Sequence, residues 1–267
     1  MASRFHFHGE ALAFAGRVRV PFQEVIPGQA GSTLSEIGGY CTAVSRDFRY
    51  RELIQFDLAH TEVTGSDTGR SYATLIQCTV EGLNINGMVS ADRIVARLYS
   101  SYRNEPDGEP AIRLIGTRFE NLKIAGVPVT VDLATDVFDH LDKHHKVCTA
   151  YEKDPDFRKL FGEVTLRDAF DELAEMVQRW VHRPPRDAGT LPSNKGFTEV
   201  SLARKVTAPG LPCWGHVIHI GGFGTIRLAT LQISQYTRRL SMIHIDLGCA
   251  VEGELMVCEI QDGGIEW

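Results

Sequence analysis

The sequence predicts a mainly β, α+β fold: an antiparallel curved sheet, barrel or sandwich with one helical segment packed on it. Three observations predict it. Apolar and polar residues alternate in short runs between Gly- and Asn-rich turns in the first half and again in the last third. The apolar period becomes helical only over about residues 135–183. The 267 residues are 43% apolar and 23% charged, enough for a large core and too apolar for disorder.

Residues 10–20 alternate as a strand that Pro21 ends. Residues 26–40 carry Pro27, Gly28, Gly31, Gly38 and Gly39 and read as loop. Tyr72 to Val80, Leu83 to Val89 and residues 91–102 read as three strand runs. In the third, Ile94, Ala96 and Leu98 face one way, and Arg93, Val95, Arg97 and Tyr99 the other. Asn104 to Gly108 is a turn, and a further strand pair spans 111–133. Val80-Glu-Gly-Leu-Asn-Ile-Asn-Gly87 and Phe119-Glu-Asn-Leu-Lys-Ile-Ala-Gly126 share Glu, Leu, Ile and Gly, which suggests two similar strand–bend–strand units.

Residues 135–151 and 156–182 read as helices. Thr165 and Asp168 form a capping-box variant, and Leu166, Phe170, Leu173, Val177 and Trp180 follow on a broad apolar stripe suited to packing on a sheet. Pro184-Pro185 stops the second helix, and about 183–198 reads as exposed loop. Runs 214–220, 224–235, 238–248 and 251–260 return to β. The third is apolar on both faces, with Leu240 and Met242 on one and Ile243, Ile245 and Leu247 on the other, which predicts a central strand covered above and below. Apart from 183–198 no linker is evident, so one domain is expected over 1–267, with a helical insertion at about 135–183.

Val80 to Gly87 with Ala91-Asp92-Arg93-Ile94, and Gly222-Phe-Gly-Thr-Ile-Arg-Leu228 with Arg239-Leu-Ser-Met-Ile-His-Ile245 and Leu247-Gly248, resemble a group of bacterial β-rich proteins labelled "choice-of-anchor P". The resemblance covers most of both β blocks. It implies a β-rich fold and supplies no catalytic residues. Such proteins are usually exported, whereas Met1 to His8 here contains no apolar signal region.

The formal net charge of −6 argues against a general nucleic-acid binder, and no apolar run is long enough to span a bilayer. The six cysteines are scattered without a C-x-x-C motif. Reduced thiols in a cytoplasmic chain are therefore expected, or an exported protein if a leader precedes this sequence. Two histidine pairs have spacings that suit a transition metal. His6 and His8 share a strand face, and His140 and His144 lie one turn apart on the predicted helix. His244 and Asp246 share a strand face, predicted to be that of Leu240 and Met242. An imidazole beside a carboxylate in an apolar wall is a candidate acid–base pair. Gly221-Gly-Phe-Gly224 has no helix behind it to cradle a phosphate and reads as a turn.

These features lead to three functional expectations. The first is a protein binding an apolar small molecule between sheet and helix, with Leu240, Met242, Phe170 and Trp180 as its lining and no cofactor. The second is a cyclase-, isomerase- or lyase-type enzyme using His244 and Asp246. The third is a structural module that assembles through β edges, for which an oligomer would be the sign.

Overall fold

A computed structural model describes residues 5–103, 109–157, 198–248 and 251–266. In chain order the strands begin with β1 (Phe5–His6), β2 (Gly9–Val20), β3 (Glu24–Thr33), β4 (Gly39–Tyr50), β5 (Ile54–Asp67), β6 (Tyr72–Ile85) and β7 (Val89–Tyr102). Short strands β8 (Ala111–Arg113), β9 (Arg118–Glu120), β10 (Lys123–Ile124), β11 (Val127–Pro128) and β12 (Thr130–Leu133) lead to helices α1 (Thr135–His140) and α2 (His144–Lys153). After them come β13 (Thr198–Ser201), β14 (Ala203–Thr207), β15 (Cys213–Trp214), β16 (Val217–Ile220), β17 (Gly224–Ile233), β18 (Arg238–Leu247), β19 (Glu252–Asp262) and β20 (Ile265–Glu266).

Two antiparallel sheets make the body. The first runs β11-β10-β7-β6-β5-β4, with β8 and β9 also pairing β7. The second runs β15-β16-β17-β18-β19-β2-β3, with β13 also pairing β17. Strands β2 and β19 lie over β5, β6 and β7, so the sheets form a sandwich. Phe14 of the second sheet fills the gap between them, with ring centroids 5.9 Å from Phe48 and 6.2 Å from Phe56 of the first. At one end Phe5 stacks on Tyr72 at 4.2 Å.

Both sheets are creased. In a regular strand alternate side chains face opposite ways. In the second sheet this alternation slips on four neighbouring strands. Ala13 and Phe14, Leu228 and Ala229, Met242 and Ile243, and Val257 and Cys258 are consecutive residues that are all fully buried. Left-handed backbone at Ala30, Ala229 and Cys258 (φ 48°, 53° and 54°), on alternate strands of this row, produces the slip. The first sheet slips the other way. Arg46 and Asp47, Asp57 and Leu58, and Asp92 and Arg93 are consecutive residues outside the core, with positive φ at Asp47, Gly82 and Asn121. The creases meet where the Cys258 thiol rests 3.7 Å from the carbonyl of Ile94. Nearby, the Thr61 hydroxyl donates across the sandwich to the carbonyl of Ala30 at 3.0 Å.

The crease corrects one expectation. Leu240, Met242, Ile243 and Ile245 are all fully buried, yet they line one face of the sheet. Ile243 is opposite Val257, which is opposite Phe14, and that row faces the first sheet. Cys258, the next residue along, also reaches the first sheet, at Cys78. The apolar residues fall at both even and odd positions because the pleat reverses between Met242 and Ile243, and His244 and Asp246 consequently lie on the outer face.

Two further expectations change. Residues 24–33 form strand β3, whose glycines sit against β2, with Gly31 opposite Leu12. The helix expected over 135–151 is two helices broken at Leu141–Lys143. The helix over 156–182 and the loop at 183–198 fall almost wholly outside the described residues. No helix among the described residues is long and apolar enough to cross a membrane.

Candidate functional site

The outer face of the second sheet carries a cleft of about 580 Å³ that straddles the crease. Ala15, Arg17, Arg227 and His244 line it on one side, and Thr230, Gln232, Arg239, Ser241 and Glu259 on the other. That volume falls within the roughly 300–1,000 Å³ of small-molecule sites. Hairpin register builds the site. With the β17–β18 turn at Ser234–Thr237, Arg227 stands opposite His244, Thr225 opposite Asp246 and Thr230 opposite Ser241.

Asp246 organises one wall. Its Oδ2 accepts from Arg227 Nη1 at 2.5 Å, and its Oδ1 is 3.4 Å from His244 Nε2. Burial works to raise its pKa, but the His244 hydrogen bond and the Arg227 charge prevail, so the carboxyl sits below its ordinary range. Across the crease, Arg239 Nη2 donates to Glu259 at 2.6 Å. Each guanidinium thus commits part of its fork to a carboxylate and keeps further N–H donors. Between them the Ser241 and Thr230 hydroxyl oxygens are buried and have no hydrogen-bond partner among the described residues. Behind Arg227, burial first and the Arg227 charge second push the His216 imidazole down to about 4.

A second polar assembly is closed to solvent. Arg238 and Asp262, opposite each other on β18 and β19, are 4% and 1% exposed. Burial lifts Asp262 to about 7, although the hydroxyls of Ser100 and Thr74, the Arg238 charge and the Gly263 amide favour its anion. Burial lowers Arg238 to about 10 against the pull of Glu109, Asp262, Cys148 and Asp142, and its guanidinium donates to the carbonyls of Ser234 and Thr237. Helix α2 closes this end with His144, whose Nε2 is 3.5 Å from the Cys148 sulfur. Burial lowers the imidazole and raises the thiol, so the pair is held neutral rather than activated.

The remaining expected site residues do not converge on either assembly. Leu240 and Met242 are core side chains with no exposure, on the opposite face from His244 and Asp246. Phe170 and Trp180 lie outside the described residues. His140 ends α1 and is exposed, whereas His144 begins α2 and is buried, so the two are not one turn apart on one helix. His6 faces Glu36 at 3.5 Å and His8 faces Glu10 at 3.9 Å, each at the surface. Among the described residues no three His, Cys, Asp or Glu side chains are placed to share a metal ion. Sequence reasoning missed Arg227, Arg239, Thr230 and Ser241. The signal that could have found them was the polar turn at 234–237, which fixes the register opposite His244.

Comparison with known proteins returns one result. No curated protein and no solved structure matches the chain. A family model described as a domain of unknown function, DUF8256, matches residues 5–234, from the Phe5 stack to the end of β17, so the chain belongs to that family.

Proposed function

We propose that this protein is a ligand-binding β-sandwich whose outer cleft holds a polar small molecule bearing a carboxylate or phosphate. The observation that carries this reading is the pair of orphaned hydroxyls, Ser241 and Thr230, set between Arg227 and Arg239. A buried hydroxyl without a partner costs about 1–3 kcal/mol, which a ligand acceptor would recover. The neighbouring guanidiniums supply forked donors for an acidic group. Leu240 and Met242 are committed to the intersheet core and do not line this cleft, which supports a polar rather than an apolar ligand here.

The test is calorimetric titration with inorganic phosphate and with citrate as probes, alongside thermal unfolding. Saturable binding of either probe that weakens at least tenfold in Arg239→Gln and in Ser241→Ala, with circular dichroism unchanged, is the expected result. No saturable binding of either probe to the wild type would overturn it. A second reading, an isomerase- or lyase-type enzyme, rests on the His244–Asp246 contact beside Arg227. On that reading His244→Ala keeps ligand affinity and loses turnover; unchanged turnover removes His244 as the acid–base group.

A further inference from the structure

The geometry points to a disulfide between Cys78 and Cys258 that staples the two sheets together when the chain folds in the presence of a small-molecule disulfide of the glutathione type. The two Sγ atoms are 3.0 Å apart. Non-bonded heavy atoms settle at roughly 3.5–4.0 Å, and a disulfide closes to about 2.05 Å, so the sulfurs are already inside ordinary packing distance. Each thiol also rests against the backbone of the opposing sheet. Cys78 is 3.8 Å from the Leu12 carbonyl, and Cys258 is 3.7 Å from the Ile94 carbonyl.

The crease makes this approach. Cys258 follows the inward-facing Val257, so in a regular strand its thiol would face solvent. The left-handed turn at Cys258 (φ 54°) sends it inward instead. Small neighbours let the sheets close. Ala96 is directly opposite Cys78, and Ala13, beside Cys258 in the row, is fully buried. Cys41 and Cys213 are half-buried and remain free, and Cys148 lies against His144, so the other described thiols do not compete for this geometry.

Both thiols are fully buried in the folded chain, and burial together with the neighbouring sulfur pushes Cys78 upward, which disfavours the reactive thiolate. The exchange therefore belongs to folding, before the sandwich closes. One cysteine thiolate attacks the small-molecule disulfide, forming a mixed disulfide and releasing one small thiol. The second cysteine thiolate then attacks the protein sulfur of that mixed disulfide, closing Cys78–Cys258 and releasing the second small thiol. The protein loses two thiol hydrogens and two electrons, and the small-molecule disulfide gains them.

The experiment refolds the reduced, guanidinium-unfolded full chain with either oxidised or reduced glutathione. The expected product of the oxidised arm is two hydrogens lighter, yields a peptide joining Cys78 to Cys258 on non-reducing digestion, and unfolds at a higher guanidinium concentration than the reduced product. Cys258→Ala and Cys78→Ala should each fold, lack the crosslink and show the same unfolding midpoint in both arms. Should either variant fail to fold, the wild-type peptide map decides alone. Recovery of native chain from the oxidised arm with both thiols alkylatable after unfolding would overturn the proposal. So would a crosslink joining any other cysteines, or a Cys78–Cys258 product that lacks native circular dichroism.

Discussion

Replacing Asp262 by Asn should make the protein more stable at alkaline pH and leave it unchanged near pH 4. Asp262 is 1% exposed, and its pKa rises from an ordinary 3.8 to about 7, chiefly through burial. A carboxyl whose pKa is raised by folding contributes stability that is fully present below the unfolded value and lost as the pH rises through the folded one. At roughly 1.4 kcal/mol per pH unit, the span from 3.8 to 7 amounts to about 4 kcal/mol. Arg238 stays protonated over this range, since its own pKa is about 10, and so adds no slope. The wild type conceals the effect, because His216 runs the other way. Its pKa falls from 6.5 to about 4, so its contribution is present above 6.5 and lost on acidification. That span corresponds to about 3 kcal/mol, reduced because water reaches the half-buried ring. The two slopes oppose each other between pH 4 and 6.5. Urea unfolding of wild type and Asp262→Asn at pH 4, 5, 6, 7 and 8 separates them. The two proteins should agree at pH 4, and the variant should lead by up to about 4 kcal/mol at pH 8. A gap that does not widen with pH, or a variant weaker at pH 8, would refute the reasoning.

His216→Gln should show the converse: wild-type stability at pH 7, and a gain over wild type of up to about 3 kcal/mol at pH 4. Urea unfolding at the two pH values checks it. Gly224→Ala should destabilise by about 2–4 kcal/mol. Gly224 sits at φ 138°, and a Cβ there would stand 2.1 Å from the Asp246 carbonyl oxygen. Because the backbone of Asp246 must then move, phosphate or citrate binding in the cleft should weaken as well, by calorimetry. Phe14→Ala should cost about 3–5 kcal/mol in urea unfolding, since it empties the contact between the two sheets.

The β blocks are legible where apolar residues recur densely between turn signals, even across a crease. The strand expected at 10–20 is β2, and the run at 238–248 is β18. Strands β4 and β5 are not legible because β4 buries no residue fully and the slip in β5 falls in a run with few apolar residues. In β5 the buried positions run Ile54, Phe56, then Ala59, Thr61 and Val63, with Asp57 and Leu58 both outside the core. The first sheet left a trace of its crease, since Asp47, Gly82 and Asn121 are residue types that tolerate positive φ. The second sheet uses Ala30, Ala229 and Cys258, which carry no such mark. That silence is why Met242 and Ile243 read as opposite faces, and why His244 was placed in an apolar wall. The i, i+2 spacing puts His244 and Asp246 on one face but leaves open whether they touch, as they do at 3.4 Å, and the arginines come from strand pairing, which local patterning does not reveal.

Two flat sheets can slide over one another by a pleat at little cost, whereas corrugated ones interlock. Here Cys258, on the buried ridge it shares with Ala13 and Met242, seats its thiol against the Ile94 carbonyl of the opposing layer. Shear along the strands would require Phe14 to unseat from Phe48 and Phe56 at the same moment. The two layers should therefore resist sliding and separate only as a whole, giving the outer cleft a rigid floor.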